Sequence, residues 1–385
     1  MASYPIAGYG SMVGDGPRSA AYLAALRRLV TPQTFLLELG SGPAFFALAA
    51  ARMGARRVVA VEPDASLQLG KTAARACGLD GAVEFIRGLS WDCTLDEPAD
   101  VLVSDLRGAL PLYEQHIPAV IDARKRLLKP GGVMIGQRDF LYAAAVEASE
   151  TYAELTSPWR NAEFDLVFEE ASRCVLNDFH RIDPKPEQLL TAPVCWAVLD
   201  YRTIDSPDVS AMFEMRVKRG GVGHGLVLWF DAELAPGIGF SNAPGQPKLV
   251  YGRRFLPWLE PVALAPGDGI QLEIHANLVG KEYIWRWNTE IPGKACFQQS
   301  TFYSQPLWKE DLRKRAGNYA PSLNEDGEIA AFVLSRMDGA STVKEIAAAL
   351  QASFPARFKD FKAALAKAGE LARAFGNIPL GREQA

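Results

Sequence analysis

The chain has 385 residues, of which 49% are hydrophobic and 22% are charged, and its formal net charge is −4. This length favours two or three domains, and the composition excludes a chain that is too polar to bury a core. The small negative charge provides no sequence-wide attraction to nucleic acid or to an anionic membrane, and it weakly favours a cationic substrate.

The cysteines and the N-terminus indicate where the protein is found. The five cysteines are odd in number and scattered, with no CxxC pair and no clustered histidines. This pattern favours a reducing compartment and argues against a zinc site. The N-terminus lacks a basic segment followed by an apolar core, and no window approaches 18 uninterrupted apolar residues. We therefore expect a soluble, cytoplasmic protein with no metal, no nucleic-acid partner and no membrane partner.

Residues 1–30 combine a glycine-rich entry, YGSMVGDGPR, with a helical run, SAAYLAALRRLV. The apolar positions of that run keep roughly helical spacing. Asp15 and Arg18 stand at its start, where each is either a capping or solvated residue or a ligand-binding group.

The next segment, TFLLELGSGPAFFALAAARMGARRVVAVEP, predicts a βαβ unit of a parallel sheet. The first strand ends at Glu38, a tight turn carries Gly40 and Gly42, and the second strand ends at Glu62. Glycines at such a turn let a ligand approach the backbone, and an acid about 20 residues later accepts hydrogen bonds from ribose hydroxyls. The pattern therefore predicts a nucleoside-containing ligand.

Two residues favour one ligand class over another. Phe45 stands where a dinucleotide fold wants a third glycine, and Glu38 immediately before the turn would repel a pyrophosphate. An acid at that place can instead serve a cationic ligand. S-adenosylmethionine therefore fits better than NAD.

The α/β pattern continues to the strand VLVSD, with an adenine edge expected near Ser90, Trp91 and Asp92. Trp91 either stacks on the base or is an ordinary packing residue. The loop SDLRGALPLYE places two carboxylates, Asp105 and Glu114, at its two ends. The amphipathic segment HIPAVIDARKRLLKPGG then predicts a helix with a Pro-Gly-Gly stop, followed by the strand VMIGQ.

From about residue 150 to 290, short alternating strands with Gly/Pro turns predict a sandwich or barrel. A charge-bearing insertion at about 162–190 is expected to project from it. The last segment predicts three short helices, with Thr342 and Glu345 as a capping box. The predicted divisions are 1–30, 31–148, 149–290, a connector at 291–320, and 321–385.

With these motifs in hand, residues 4–290 resemble the protein arginine methyltransferases. YGSMVGDGPR is similar to the family's N-terminal lid segment, LELGSGPA to its methyl-donor loop and VVAVEP to its ribose-binding strand. SDLRGALPLYE has the length and frame of its double-glutamate loop, and the dimerisation arm would fall at about 162–190. The resemblance implies an α/β fold with a class I, Rossmann-like methyltransferase domain, then a β-barrel domain with an inserted arm, in a homodimer.

The resemblance also implies a donor, S-adenosylmethionine, and a product, S-adenosylhomocysteine. Arg18 would pair with the methionine carboxylate of the donor, and Glu62 would bind the ribose hydroxyls. The implied donor-binding residues are Arg18, Glu38, Gly40, Gly42, Glu62, Pro63, Ser90, Trp91, Asp92 and Ser104.

On the acceptor side, Glu114 would grip the guanidinium of an arginine in a peptide or protein, with Asp105 as the second catalytic carboxylate. Four further residues are implied to bind the substrate: Met12, Asp15, Arg107 and Tyr251.

Several residues depart from the family pattern. Asp105 replaces the first glutamate of the loop, Arg107 replaces a methionine, and the acidic adenine contact falls on Trp91. The Thr-His-Trp turn of the barrel falls at Leu249-Val250-Tyr251, so its histidine is absent.

An aspartate ends about 1.5 Å short of a glutamate, and a misplacement of about 1 Å can cost roughly 100-fold in rate. Either the backbone moves in to compensate, or the acceptor differs from a protein-bound arginine. Arg107 adds a cation that would compete for Asp105 or Glu114.

The C-terminal helices resemble the PqqD-like modules that bind leader peptides of ribosomally made natural products. The partner is therefore expected to be a peptide or protein substrate, a leader peptide among the options. Three functions stay open: an arginine methyltransferase, a methyltransferase for another nitrogen or oxygen acceptor, and a non-catalytic peptide-binding scaffold.

Overall fold

The computed structural model of this protein describes residues 4–161 and 164–377. The chain divides into one compact unit that ends at Pro306 and a second that begins at Leu307. Each unit has its own cluster of buried hydrophobic side chains.

The N-terminal part of the first unit alternates helices and strands as predicted. Two helices precede the first strand, so the glycine-rich entry contributes a helix of its own. The elements are α1 (Ile6–Val13), α2 (Gly16–Leu29), β1 (Phe35–Leu39), α3 (Phe45–Arg52), β2 (Arg57–Val61), α4 (Leu67–Ala76), β3 (Glu84–Ile86), β4 (Ala99–Ser104), α5 (His116–Arg126) and β5 (Leu128–Ile135).

Within the described residues these strands form a five-stranded parallel sheet in the order β3-β2-β1-β4-β5. All five residues of β1 are buried because this strand lies in the middle of the sheet. The chain direction across the sheet reverses between β1 and β4, and ligands of open α/β sheets bind at the carboxyl ends of strands at such a point. Gly40 follows β1, Glu62 follows β2 and Asp105 follows β4, all at this edge.

The predicted Pro-Gly-Gly helix stop is wrong. Helix α5 already ends at Arg126, and Pro130 and Gly131 lie inside β5. The register between β4 and β5 shifts in this stretch, from Ala99 opposite Leu128 to Val101 opposite Val133. Proline has no N–H for the ladder and Gly131 has a positive φ of 78°, so the extra residues bulge out of the strand.

Antiparallel strands make up most of the remainder of the first unit. They form the β-barrel domain, except for two short strands within residues 160–167, which pair with each other in a separate two-stranded sheet. The strands are β6 (Arg138–Val146), β7 (Arg160–Asn161), β8 (Leu166–Val167), β9 (His180–Ile182), β10 (Val194–Asp200), β11 (Val209–Arg216), β12 (Gly221–Ala235), β13 (Ile238–Ser241), β14 (Arg253–Leu264), β15 (Gly269–Val279), β16 (Glu282–Ile291) and β17 (Ala295–Ser300), with helices α6 (Ser149–Thr156) and α7 (Glu169–Leu176) between them.

Two antiparallel sheets supply the barrel core. One has the order β10-β6-β12-β14-β9, with β13 paired to β12, and the other has the order β11-β15-β16-β17. Alternate side chains of β16, Tyr283, Trp285 and Trp287, point inward and are buried, as the period of two in a strand requires.

Three predicted boundaries need correction. The division at residue 148 falls too late, because β6 pairs with β12 along its length. The connector predicted from residue 291 begins too early, because β17 pairs with β16. The arm predicted at 162–190 ends too late, because β9 pairs with β14 and the Asn177 Oδ1 accepts from the Ser300 N–H at 2.9 Å. Residues 162–163 of that arm lie outside the described residues.

The second unit contains α8 (Lys309–Lys314), α9 (Glu325–Leu334), α10 (Val343–Ser353) and α11 (Phe361–Phe375). The last three helices pack around a small core that includes Val333 and Leu350. The predicted capping box is confirmed, because Glu345 N–H donates to Thr342 Oγ1 at 3.2 Å and Thr342 N–H donates to Glu345 Oε2 at 2.8 Å. Residues 378–385 of the predicted C-terminal module lie outside the described part of the chain.

None of the helices formed by residues 4–161 and 164–377 is long and apolar enough to cross a membrane.

Candidate functional site

The turn after β1 is the tightest part of the candidate donor site. Gly40 and Gly42 both have positive φ, 61° and 51°, which glycine adopts without a Cβ penalty. A Cβ at Gly40 would overlap the side chain of Leu106, and a Cβ at Gly42 would come within 2.8 Å of the Tyr9 ring. The turn is therefore enclosed by the loop after β4 on one side and by α1 on the other.

Glu62 joins this turn to the end of β2. Its Oε2 accepts from the Gly42 N–H at 2.8 Å, and its Oε1 accepts from the Asp64 N–H at 2.9 Å. Burial raises the pKa of Glu62, although these two backbone donors oppose the shift. A carboxylate oxygen accepts more than one hydrogen bond, so both oxygens can still receive a ligand hydroxyl.

Glu38 lies inside β1 rather than at its end, and it is fully enclosed. Its Oε2 accepts from the Ala47 N–H at 2.6 Å. Burial raises the pKa of Glu38 to about 8. A carboxyl group with this pKa is mostly protonated at neutral pH, whereas the sequence suggested an anion at this position.

Three serine hydroxyls around the same edge are buried and make no hydrogen bond to any described residue: those of Ser41, Ser90 and Ser104. Buried polar groups are normally satisfied, so such a cluster calls for partners from outside the chain. A ligand with ribose and amino acid groups provides them. Together with Glu62, these hydroxyls fit a nucleoside-containing donor such as S-adenosylmethionine.

The predicted adenine edge is only partly enclosed. Ser90 is buried, whereas Trp91 has 42% of its surface exposed and Asp92 is exposed. Pro63 is half-buried beside Glu62. Trp91 is thus neither a core residue nor stacked on another side chain among those the structure describes.

Asp105 is held on both of its oxygens by other side chains. Its Oδ2 accepts from Arg18 Nε at 2.7 Å and from the Tyr251 hydroxyl at 2.6 Å, and it pairs with an Arg18 terminal nitrogen. Its Oδ1 accepts from Arg107 at 3.2 Å. Although burial acts in the opposite direction, the Arg18 and Arg107 guanidinium groups keep the pKa of Asp105 well below its usual range.

Arg107 extends this network into the interior. Its side chain is 1% exposed, its Nε donates to Asp139 Oδ2 at 2.7 Å, and a terminal nitrogen donates to the Tyr22 hydroxyl at 2.7 Å. The pKa of Asp139 is raised above its ordinary value by burial, although the charge of Arg107 opposes this shift. Arg107 therefore binds Asp105 and Asp139. Among the described residues it forms no hydrogen bond with Glu114.

The network ends at a neutral histidine. The Tyr201 hydroxyl donates to Asp139 Oδ2 at 2.6 Å and lies 3.0 Å from His116 Nε2. Burial, and then the charge of Arg107, lower the pKa of His116 to about 3. We refer to Arg18, Asp105, Arg107, Asp139, Tyr201, Tyr251 and His116 as the buried charge network. It links α2, the loop after β4, helix α5 and the barrel.

The N-terminal helices are fixed to the barrel by the remaining predicted residues. Asp15 caps α2 by accepting from the Arg18 N–H at 3.3 Å, and its other oxygen accepts from the Val250 N–H at 2.8 Å. The Met12 carbonyl accepts from Arg18 at 3.0 Å. Val250, which stands where the family histidine was expected, thus meets Asp15 through its backbone.

Glu114 lies at the other end of the loop. It is half-buried with a positive φ of 38°, and among the described residues it has no hydrogen bond to Asp105, Arg18 or Arg107. The preceding residue, Tyr113, packs its ring against Gly108. Burial, and then the neighbouring Glu114 and Tyr4, raise the pKa of Tyr113 well above its ordinary value. The two predicted catalytic carboxylates therefore have different surroundings.

Sequence reasoning missed four residues of this region: Tyr22, His116, Asp139 and Tyr201. Tyr22 comes from α2, His116 from the start of α5, Asp139 from β6 and Tyr201 from the turn after β10, and no local motif marks them. The described residues contain no group of three or more His, Cys, Asp or Glu side chains that could hold a metal ion.

Comparisons with known proteins agree with this architecture. Residues 137–288 match the family described as the arginine methyltransferase oligomerization subdomain. The match starts at the beginning of β6 and supports the corrected barrel boundary.

Three relatives of established or assigned identity are similar in sequence. A probable protein arginine N-methyltransferase 6 of Arabidopsis thaliana is 28% identical over 232 residues, which is 58% of this chain and 53% of that protein. An arginine N(omega)-methyltransferase of Streptomyces achromogenes is 26% identical over 269 residues, 69% of this chain and 74% of that protein. Protein arginine N-methyltransferase 1 of Dictyostelium discoideum is 27% identical, with 65% and 75% covered. The chain thus spans about half the length of the Arabidopsis relative.

Solved structures share the fold. The Trypanosoma brucei PRMT1 enzyme-prozyme heterotetrameric complex with AdoHcy superimposes with a TM-score of 0.71 at 19% identity, covering 76% of this chain and 96% of that one. Arabidopsis thaliana protein arginine methyltransferase 10 gives 0.68 at 22% identity, covering 77% and 97%. The predicted order of a Rossmann-like domain followed by a β-barrel is confirmed.

Proposed function

We propose that this chain, as a relative of the protein arginine methyltransferases, transfers a methyl group from S-adenosylmethionine to an arginine guanidinium in a peptide or protein. One observation carries the proposal. The loop with Asp105 and Glu114 packs directly on the turn after β1, where the Leu106 side chain touches Gly40. The proposed donor and acceptor sites would therefore lie next to each other, as direct transfer between them requires.

The donor would lie at the carboxyl edge of the parallel sheet, where it supplies a methyl group on a sulfonium. Glu62 would accept from the ribose hydroxyls while it holds Gly42 and Asp64. Arg18 has five N–H donors. Its contacts with Asp105, Tyr251 and Met12 leave one N–H on each terminal nitrogen for the carboxylate of the donor.

The acceptor guanidinium would bind to Glu114. A guanidinium stays protonated in a protein, so the site has to orient it rather than remove its proton first. Glu114 can bind it through two parallel hydrogen bonds. The carboxylate of Asp105 is occupied by Arg18, Arg107 and Tyr251. We therefore assign Asp105 as a positioning residue that holds Arg18, in place of the catalytic role that the sequence suggested.

A transfer assay tests this function. Labelled S-adenosylmethionine is incubated with the full chain and a pool of arginine peptides and host lysate, and the products are hydrolysed to amino acids. We expect labelled methylarginine. Donor binding without any methylarginine would contradict the proposal and would favour a different acceptor.

Glu114→Gln provides the matched variant. We expect this change to abolish transfer, because an amide lacks the negative charge that orients the guanidinium, while calorimetry finds donor affinity nearly unchanged. An equal loss of donor affinity would remove Glu114 from the acceptor role.

A second acceptor class is favoured by one observation. Arg107 adds a buried positive charge next to Asp105, so the pocket attracts a cation less strongly than two free carboxylates would. A nitrogen or oxygen acceptor of a natural product then becomes the alternative, and the same assay detects it as labelled product that is not methylarginine.

We also propose two partners and a compartment. Leu166, Val167 and Phe168 are exposed apolar residues of the inserted arm, and covering them favours a homodimer. The second unit is proposed to bind a peptide, a leader peptide included, on the basis of its helical sequence. The odd number and scattered positions of the five cysteines favour a reducing compartment, the cytoplasm.

A further inference from the structure

We propose that Arg181 and Arg254 form a carboxylate-binding subsite beside the acceptor loop. The acceptor would then carry a carboxylate at some distance from the nitrogen that is methylated. This inference rests on the proposed function for the reaction itself, but the binding site can be tested without it.

The register of the barrel sheet brings the two arginines together. Arg254 on β14 stands directly opposite Arg181 on β9 in an antiparallel pair. Like charges directly opposite each other on neighbouring strands are destabilising. The Arg181 side chain lies along the backbone of Gly252, where an added Cβ would meet its Nε at 2.8 Å and its Cζ at 3.1 Å. The Arg181 guanidinium therefore lies against the residue that follows Tyr251, at the start of β14.

Among the described residues, no carboxylate forms an ion pair with either arginine. The side chains of Arg181 and Arg254 make no hydrogen bond and no ion pair with any residue in 4–161 or 164–377. Their neighbour Arg253 shows the contrast, because it pairs with Asp183 and donates to the Asn242 carbonyl at 2.6 Å. Arg181 is exposed but Arg254 is partly buried, and a partly buried guanidinium normally has such partners.

The surroundings of Arg254 point to the acceptor loop. Arg254 is half-buried. Burial, and then Arg181, lower its pKa, whereas Asp178 and Tyr113 act in the opposite direction. Tyr113 immediately precedes Glu114, so Arg254 on the barrel lies within electrostatic range of the loop that carries Glu114.

The sign of the charge identifies the ligand. A positive pair next to a loop that binds a cationic guanidinium would repel the acceptor unless the acceptor also carries a negative group. The planar fork of a guanidinium matches a carboxylate bidentately. The carboxylate can be the α-carboxylate of a free or C-terminal arginine, or the side chain of an acidic residue near the arginine of a peptide.

Matched probes distinguish these sources. The full chain, saturated with S-adenosylhomocysteine, is titrated calorimetrically with L-arginine and with agmatine, which has the same guanidinium but no carboxylate. A second pair of probes is an arginine peptide flanked by glutamates and the same peptide flanked by glutamines. We expect the carboxylate-bearing member of at least one pair to bind tenfold or more tightly than its match, and that pair identifies the source.

Variants assign the preference to the arginine pair. Arg254→Gln and Arg181→Gln should each remove most of the preference, with the affinity for S-adenosylhomocysteine unchanged. Arg286→Gln is the control, because it removes an exposed arginine from β16 on the other sheet. Thermal unfolding accompanies each titration, and Arg254→Gln should unfold at the same or a higher temperature because it relieves the repulsion between the two charges.

Two results overturn the subsite: equal binding of both members in both pairs by the unchanged protein, or a preference that survives Arg254→Gln and Arg181→Gln. Methyl transfer is measured separately on the same probes. A binding preference without transfer to any probe would leave the subsite standing and contradict the proposed function. Methyl transfer without any binding preference would support the proposed function and contradict the subsite.

Discussion

The carboxyl edge of the parallel sheet, where the donor is proposed to bind and which we call the donor edge, lies next to the buried charge network. The polar groups of the two regions have different surroundings. At the donor edge the hydroxyls of Ser41, Ser90 and Ser104 have no described partner. In the network both oxygens of Asp105 are occupied and Arg107 pairs with Asp139 away from solvent, although Asp139 Oδ1 and His116 Nδ1 also lack a described partner. The hydroxyls at the donor edge fit the groups of a bound ligand, whereas the ion pairs of the network fix the positions of the side chains that form them.

This difference changes the role of one predicted catalytic residue. Asp105 was expected at the acceptor because of its place in the loop, but its side chain is bound by Arg18 from α2 and by Tyr251 from the barrel. A residue in this position aligns the two halves of the site. The acceptor role that we propose therefore rests on Glu114, which makes none of these contacts.

The largest expected effect comes from opening the network. Arg107→Met removes the guanidinium and leaves Asp105 and Asp139 buried with one partner fewer each. Breaking a buried pair in this way typically costs about 3–5 kcal/mol of unfolding free energy, which urea denaturation at pH 7 measures.

Arg173→Met is the control for this variant, because Arg173 forms an exposed pair within α7 and such pairs contribute little. The double variant Arg107→Met/Asp139→Asn should recover part of the loss, since one of the unpaired charges is gone. A loss no larger than that of Arg173→Met would show that the network does not stabilise the fold.

The next effect concerns the donor edge and depends on pH. The pKa of Glu38 is about 8 in the folded chain and 4.5 when it is unperturbed. Between these values the folded chain binds more protons than the unfolded chain, so stability falls as pH rises. From pH 5 to pH 7 the loss attributable to Glu38 is roughly 2–3 kcal/mol.

Glu38→Gln tests this directly, because the amide keeps the shape and cannot ionise. Denaturation at several pH values should give a difference between the two proteins that grows in favour of the variant as pH rises from 5 to 8. A difference that does not vary with pH would mean that Glu38 has an ordinary pKa.

Glu62 separates ligand binding from folding at the same edge. Glu62→Ala removes the proposed acceptor for the ribose hydroxyls and the observed partner of the Gly42 N–H. Hydrogen bonds to a charged group contribute about 1.5–3 kcal/mol, so calorimetry should find S-adenosylmethionine bound about 10- to 100-fold more weakly.

Glu84→Ala is a suitable comparison, because this acid of β3 forms a partly exposed ion pair with Arg57. It should leave donor affinity unchanged. If Glu62→Ala binds the donor as tightly as the unchanged chain does, Glu62 only supports the turn.

The two regions also differ in how far the sequence could predict them. The turn, Glu38 and Glu62 fall within one βαβ unit, so their spacing along the chain carries the geometry. The network joins residues that are far apart: Arg107 and Asp139 are separated by 32 positions, and Asp105 and Tyr251 by 146. No local pattern encodes such a contact.

Strand pairing limited the sequence prediction in the same way. Arg138–Val146 was assigned to the α/β domain because it follows that domain in the chain, but its partners β10 and β12 come later. The pairing of Arg181 with Arg254 likewise depends on sheet register. The helices of the second unit were predictable because their caps and apolar spacing are local.

The smallest expected effect comes from the contact that joins the barrel to Asp105. Tyr251→Phe removes one hydroxyl and leaves Asp105 bound by Arg18 and Arg107. The expected cost in unfolding free energy is about 1 kcal/mol, since the aromatic ring stays packed against Phe240.

Tyr283→Phe is the control. It removes a comparable barrel hydroxyl, which donates to the Pro207 carbonyl at 2.8 Å, and should cost a similar amount. Methyl transfer separates the two variants: if Tyr251 holds the acceptor loop in register with the barrel, only Tyr251→Phe slows transfer at saturating donor, by several-fold. Equal rates for both variants would limit Tyr251 to a structural contact.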